Sequence, residues 1–430
     1  MSGATFDLSF CFLSLLLIST VLRGIIGGRT IFEFPTIYAM MGLVWVVPQG
    51  IVLESHPNDI YSNEQFWAYV SLCFICIFLG FYLGKRAQER QIRKTSATEL
   101  RKYDGKRLLF AAAGLTAVGL IANLMMRGVD TSEMGGQWTG VITFYYLLAK
   151  VNGFGLCLAV LIFSRTRSPI AAVIAIVAAV PIFQAAVFFI RREEIFDLII
   201  LTAGAWYLSQ GRHPPRAAVV VAVFVGTVIL NSAGNLRTYV NTGDGTLTSA
   251  LVSVETYTNF DYFAIDQANA SEIAQAQYDF AYVNQTGEFE YGADHWNKLI
   301  HQYVPAFLLG REFKEALKIP TLSERLRRGE EQGQFSLGST RTGFSDSYRA
   351  FGVFGASIFL LICYGFGLLY ARADWLGIEG QFFYLILLAE GLKSMTHSTA
   401  EFFSSLPFTL IVSLFAFYFA RARSYRRVSP

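Results

Sequence analysis

Long apolar runs dominate this chain, broken at fairly regular intervals by short polar and often basic stretches. A helix needs about 17–25 mostly apolar residues to cross the hydrocarbon layer of a bilayer. Runs of that kind lie near residues 6–25, 31–53, 65–84, 108–126, 139–164, 169–190, 195–209, 217–233, 349–371, 380–396 and 402–420. The pattern predicts an all-α integral membrane protein with about 11 transmembrane helices. Two of the runs are irregular. The seventh is short, and the tenth contains Glu390 and Lys393. The organisation that follows is helices 1–8 within residues 1–233, one long polar segment at 234–348, and helices 9–11 within 349–430. No positive charge precedes the first apolar run and Asp7 stands at its start, so a retained first span is expected rather than a cleaved signal peptide.

The basic residues give the runs a direction. Arg23 and Arg29 follow the first, and residues 85–107 hold Lys85, Arg86, Arg90, Arg93, Lys94, Arg101, Lys102, Lys106 and Arg107. Arg165 and Arg167 follow the fifth, Arg212 and Arg216 the seventh, and Arg372 the ninth, while Arg421, Arg423, Arg426 and Arg427 come near the end. With eleven crossings all of these fall on one side. Cytoplasmic loops are enriched in Lys and Arg, so that side is the cytoplasm and the N-terminus lies outside. Segment 234–348 then becomes one large extracytoplasmic loop. It carries 15 Asp and Glu against 9 Lys and Arg, so it is acidic overall and is no polybasic lipid-binding arm. Within it, 247–267 has apolar residues at helical spacing, as an interfacial helix would. Residues 278–282 are too short to assign, 295–309 are apolar enough to dip into the membrane with Pro305 ending or bending them, and 323–333 form a charged helix or loop.

Composition agrees with this class. Of 430 residues 53% are hydrophobic and only 16% charged, well below the roughly 25% of soluble domains. The formal net charge of +3 matters less than where the charges sit. All five cysteines lie in apolar runs and read as small packing residues, including the Cys73–Cys76 pair. There is no GxGxxG or Walker pattern, no acidic DxD cluster to demand a divalent metal, and no sign of a nucleic-acid partner or a cofactor.

Candidate chemistry concentrates where positive charge should be scarce. Arg191 and Arg192, in VFFIRREEIFDLII, sit at the outer end of the sixth span. They pair locally with Glu193 and Glu194 or form a guanidinium clamp for a lipid-linked pyrophosphate, whose geometry Arg matches bidentately. Arg237 is the first charge after the eighth span, and Arg311 follows the apolar stretch YVPAFLLG. Arg341 and Arg349 flank GFSDSY before the ninth span, with Asp346 and Tyr348 between them. All four are expected at the water–lipid boundary, where Asp346 either orients an arginine, acts as a base, or joins Ser345 in capping the ninth helix. His295 and His301 are candidate general bases, since an unperturbed imidazole titrates near neutrality. Their six-residue spacing disfavours a metal pair. Glu390 either pairs with Lys393 in helix packing or serves as an acid in a substrate cavity.

The segments FFIRREEIFDLIIL, NLRTY, LIHQYVPAFLLGREF and TGFSDSYRAFGVFGASIF together resemble the Wzy-type polymerases of O-antigen and exopolysaccharide repeat units over residues 185–370. The resemblance implies a GT-C-like, metal-independent inverting glycosyltransferase in the bacterial inner membrane, with a periplasmic N-terminus and a cytoplasmic C-terminus. The implied substrate is an undecaprenyl-pyrophosphate-linked oligosaccharide, transferred en bloc at the periplasmic face, and a chain-length-regulating co-polymerase is an implied partner. Carried onto this chain, the basic positions are Arg191 or Arg192, Arg237, Arg311, where relatives often have Lys, and Arg341. No matched position gives the general base, and His301 is the expectation, with Arg341 and Asp346 beside it in catalysis and Arg349 and Tyr348 on the substrate. Two other readings remain open. An O-antigen ligase uses the same donor with a different acceptor, and a lipid-linked sugar transporter would place ionisable residues deep in several spans.

Overall fold

The computed structural model describes residues 7–55, 63–94, 103–127, 141–188, 191–227, 272–322, 341–375 and 377–421. Among them the chain is almost wholly helical and has no strand. We number the helices in chain order. The first eight are α1 (Leu8–Gly27), α2 (Phe34–Ser55), α3 (Asn63–Lys94), α4 (Gly105–Arg127), α5 (Val141–Thr166), α6 (Pro169–Phe188), α7 (192–210) and α8 (Arg216–Thr227). In the long polar segment come α9 (Glu272–Thr286), α10 (Ala293–Tyr303), α11 (Ala306–Leu309) and α12 (Arg311–Ala316). The last four are α13 (Gly343–Phe351), α14 (Ala356–Trp375), α15 (Ile378–Thr396) and α16 (Thr399–Ala420).

Among the described residues, eight helices are long and apolar enough to cross a membrane, α13 and α14 counting as one. The protein is therefore a multi-pass membrane protein. Helices α7 and α15 lie where the seventh and tenth runs were expected but are more charged, with Glu193, Glu194 and Asp197 on one and Glu379, Glu390 and Lys393 on the other. Helix α8, Arg216–Thr227, is apolar but shorter than a span. The outer faces of α1, α6 and α16 expose large apolar side chains such as Phe12, Leu15, Val173, Ile176, Phe415 and Tyr418, as lipid-facing helices do.

The spans run alternately between two ends. At one end the basic positions meet. Lys85 Nζ lies 2.7 Å and Arg23 Nη2 3.6 Å from the Glu33 carboxylate. Arg165 donates to Gln381 Oε1 at 2.6 Å, Arg216 to the Ile26 carbonyl at 3.2 Å and Arg107 to that of Arg421 at 3.2 Å. At the other end lie the start of α7, the ends of α2 and α15, the starts of α3, α13 and α16, and the helices of the long segment. Asp7 N–H donates to Glu54 Oε2 at 3.1 Å there, and Trp67 Nε1 to Glu54 Oε1 at 2.8 Å.

Helices α3 and α14 make a close crossing in the bundle. Gly80 and Gly84 face the carbonyls of Leu360 and Tyr364, and Gly367 faces Phe81 and Lys85, so closely that a Cβ at any of the three would fall on partner backbone. Small residues let helix backbones touch where apolar side chains gain little from leaving lipid. Aromatic rings fill the adjoining space. Phe34 stacks on Phe366 at 4.0 Å, and Tyr38, Phe74, Phe344 and Phe359 continue the layer. Cys73, Cys157 and Cys363 are buried in apolar packing, and all five cysteines are free.

The last bundle helices begin earlier than the apolar pattern suggests. The cap is Thr342, whose Oγ1 accepts from Ser345 N–H at 3.2 Å, so neither Ser345 nor Asp346 is the N-cap. Gly343 packs on the Ser394 carbonyl, which leaves no room for a side chain. The residues assigned to a boundary loop are thereby drawn into the bundle as the buried helix α13. It ends at Gly352, whose φ of +59° is a conformation glycine adopts without strain. Residues 278–282 prove to be part of α9, and Pro305 follows the end of α10 at Tyr303. The expected elements at 247–267 and 323–333 lie outside the described residues.

A Gly84→Ala substitution is expected to destabilise the protein by about 1–3 kcal/mol, since overpacked backbone has no rotamer to retreat to. The thermal midpoint in detergent should fall by several degrees. A midpoint equal to the wild type would refute the close α3–α14 crossing.

Candidate functional site

Two groups of ionisable side chains lie at the end of the bundle away from the basic loops. The first is centred on Arg349, which is 1% exposed. Its Nη1 lies 2.5 Å from Asp279 Oδ2, its Nε 3.5 Å from Glu290 Oε2 and its Nη2 3.7 Å from Asp294 Oδ2. Asp279 is on α9, Glu290 lies in the α9–α10 turn, and Asp294 is on α10. Ser345 Oγ donates to Asp279 at 2.5 Å, and Arg341 Nε lies 3.9 Å from the same carboxylate. Backbone bonds from Glu290 N–H and Tyr291 N–H to the carbonyls of Arg349 and Ala350 fix the same junction. An arginine so buried is tolerated because its charge is matched by carboxylates in hydrogen-bonding geometry. Its work is to fasten the long segment to the bundle.

Asp346 and Tyr348 flank this group. Asp346 accepts from Thr399 Oγ1 at 2.8 and 2.9 Å and from Ala400 N–H at 3.1 Å, which ties α13 to the start of α16. His295 Nε2 lies 3.0 Å from the same Thr399 hydroxyl. The Tyr348 hydroxyl donates to Asn284 Oδ1, and its ring packs on Phe280 at 4.0 Å. Of the four residues placed at the boundary, three are thus buried and Arg341 stays nearest the surface.

The second group lines a cavity of about 130 Å³ between α5, α6, α7 and α15. Lys393 Nζ lies 3.3 Å from Glu390 Oε1, 3.8 Å from Glu193 Oε2 and 3.9 Å from Asp197 Oδ2. Lys150 Nζ lies 4.0 Å from Glu390 Oε2. His397 Nε2 is 3.8 Å from Glu193 Oε2. The backbone is irregular on three sides of this space. Helix α5 is interrupted at Lys150, α6 contains Pro181, and α7 makes a π-turn at Ile200–Gly204. Such breaks stop neighbouring helices from packing flush and often mark functional sites. Asn152, just past the first break, donates from Nδ2 to the Ala178 carbonyl at 2.5 Å.

The predicted arginines do not converge on one point. Arg191 is the exposed N-cap of α7 and lines the cavity. Arg192 turns away, with Nη1 at 3.1 Å from Glu272 Oε1, so its ion pair is with α9 and not with Glu193 or Glu194. Arg311 is exposed at the start of α12. Arg237 lies outside the described residues. His301 is on α10, two turns from His295, and its imidazole is pushed down to about 4 by burial and by Lys314, Lys298 and Lys318, against the opposing pull of Glu401. It is therefore neutral at physiological pH and a weak proton acceptor. His397 is also pushed down by burial, with Glu193 opposing.

Lys150 and Asp197 went unrecognised in the apolar pattern. The signal was there, because an ionisable residue within an apolar run is costly and usually faces a cavity or a partner. Lys150 in LLAKVNG and Asp197 in EEIFDLII both meet that description. Comparison with family models, with curated proteins and with solved structures returns no match for this chain.

Two outcomes follow. Arg349→Met should cost about 3–5 kcal/mol by stranding three carboxylates, read as lost thermal stability of the detergent-solubilised protein, whereas Arg341→Ala should leave stability near the wild type. Equal stability of the two variants would contradict the role given to Arg349. The folded-state His301 pKa of about 4 lies below its usual 6.5, so the unfolded chain binds more protons between those values and stability falls as pH drops through that window. In His301→Gln that fall should be shallower in a thermal-shift titration from pH 7 to 4, and an unchanged slope would remove His301 from the account.

Proposed function

We propose that this chain is a polysaccharide polymerase of the bacterial inner membrane. It moves a growing glycan from its undecaprenyl-pyrophosphate carrier onto another lipid-linked repeat unit at the periplasmic face. One observation carries the reading. A charged cavity is sunk between apolar helices beneath one end of the bundle, with Arg191 at its lining and the helices of the long segment folded over the same end. Charges within membrane-spanning segments are expensive to keep and mark substrate sites. The alternating direction of the helices, together with the basic residues gathered at the opposite end, supports eleven crossings with the N-terminus outside.

The chemistry suits this arrangement. A carboxylate of the cavity takes the proton of the acceptor hydroxyl, whose oxygen attacks the anomeric carbon. The bond from that carbon to the pyrophosphate oxygen breaks, and its electron pair leaves with the pyrophosphate. Arg191, exposed at the cavity lining, meets that growing negative charge at the headgroup level, where pre-positioned cations contribute strongly to catalysis, while Arg341 and Arg311 engage the lipid-linked units elsewhere on the same end. His301, held neutral by burial and by the lysines around it, is a poor base for this step. Asp346 and Tyr348 position α13, and the Arg349 node holds the long segment in place. An O-antigen ligase would use the same donor chemistry. A lipid-linked sugar transporter is favoured by one specific fact, the meeting of ionisable residues from α5, α7 and α15 inside the bundle.

Deleting the gene and resolving the surface glycan on a gel separates these. Loss of the ladder with one capped unit retained is the polymerase result, loss of all glycan from the core is the ligase result, and repeat units trapped on the cytoplasmic leaflet are the transporter result. Arg341→Ala should insert normally yet abolish polymer, with single-unit glycolipid accumulating. Wild-type chain lengths from that variant at equal expression would overturn the proposal.

A further inference from the structure

The cavity contains two hydrogen-bond acceptors that its own walls leave unmatched. Glu390 Oε2 and Asn152 Oδ1 are buried and have no hydrogen-bond partner among the described residues. The residues themselves are 7% and 2% exposed. Both line the cavity. Buried polar atoms in native proteins are almost always satisfied, so exceptions of this kind point to an occupant that supplies the missing donors. The hydrogen bonds already present are on the other atoms, and Lys150 Nζ stands 4.0 Å from Glu390 Oε2, an ion pair beyond hydrogen-bonding distance. Glu390 Oε1 receives Lys393 Nζ at 3.3 Å, and Asn152 Nδ2 is spent on the Ala178 carbonyl.

Charge narrows the class of occupant. Three cations, Lys150, Lys393 and Arg191, share the lining with four carboxylates, Glu193, Glu194, Asp197 and Glu390. A free cation would meet the two ammonium groups beside Glu390, and an anion would meet the carboxylates. A hydroxyl avoids both penalties, because it donates through its hydrogen and accepts through its oxygen. Neighbouring hydroxyls on one ring could donate to Glu390 and Asn152 while accepting from Lys150 and Lys393. The volume of about 130 Å³ equals roughly four waters at about 30 Å³ each, enough for the hydroxyl-bearing edge of a sugar ring.

We infer that this cavity is a subsite for a neutral saccharide, in which Glu390 and Asn152 accept hydrogen bonds from its hydroxyls and Lys150 and Lys393 donate to its oxygens. Naming that saccharide the acceptor unit of glycan transfer rests on the function proposed above. The binding itself does not.

The test uses the purified full-length protein in nanodiscs. Methyl glycosides of glucose, galactose and N-acetylglucosamine are titrated one at a time, with sodium pyrophosphate and sodium chloride as charged controls. At ten times the midpoint of its own titration, at least one glycoside should raise the thermal midpoint by about 2 °C. That shift should vanish in Glu390→Gln and in Asn152→Ser, and in Ala389→Leu, which narrows the cavity while keeping every charge. No shift with any glycoside, a shift with pyrophosphate alone, or a glycoside shift that survives in all three variants overturns the subsite. Glycan ladders from cells carrying the same variants test the other half. Binding lost with a normal ladder removes the acceptor role and keeps the subsite. A ladder unaffected by deletion of the gene removes the polymerase while the nanodisc result stands.

Discussion

Burying charge in a low-dielectric bundle is the constraint that the rest of this structure answers to. An isolated ion there is prohibitively unfavourable, so each one must find a partner. Arg349 is the fullest response. By engaging Asp279, Glu290 and Asp294 it joins two helices of the long segment to the last turn of α13. That one guanidinium replaces the hydrophobic driving force that is weak between elements near lipid. The Asp346–Thr399 bonds do similar work between α13 and α16. The result is a polar seam running across one end of the molecule.

The cavity stands beside that seam and follows a different rule. Around Arg349 the nearest carboxylate closes to 2.5 Å. Around Lys393 the nearest stands at 3.3 Å, and two cavity acceptors are left over. The helices that build it are also the irregular ones, with a break at Lys150, a proline at 181 and a π-turn after Ile199. A region that keeps unmet hydrogen-bonding capacity holds back stability that tighter packing would have gained, as binding sites commonly do.

Much of the architecture was legible in the apolar periodicity, because a membrane-spanning helix must satisfy its own backbone and advertise its length in a single run. Helices cover the described part of each of the eleven apolar runs, and the charged character of the seventh and tenth is real. What periodicity could not show was which polar residues meet. Arg191 and Arg192 are adjacent in sequence, yet one turns to the cavity and the other to Glu272. Arg349 reads as a boundary arginine until its three carboxylates, 55 to 70 positions away, are brought to it. The early start of α13 was hidden because Ser345, Asp346 and Arg349 look like loop residues, and only the close fit of Gly343 on α15 reveals that they lie inside. Lys150 stands alone in a long apolar run, and nothing in its neighbours tells that Glu390 of α15 faces it.

The glycine crossing of α3 and α14 divides the molecule mechanically. Backbones in direct contact cannot slide or roll without collision, so these two helices behave as a single stiff spar. Gly119 and Gly155 impose a like restraint between α4 and α5, where they meet Asn152 and Thr116. No such lock joins α6, α7 and α8 to their neighbours among the described residues. Compliance is therefore lodged on that flank, beside the cavity, where those helices can part while the spar holds its shape.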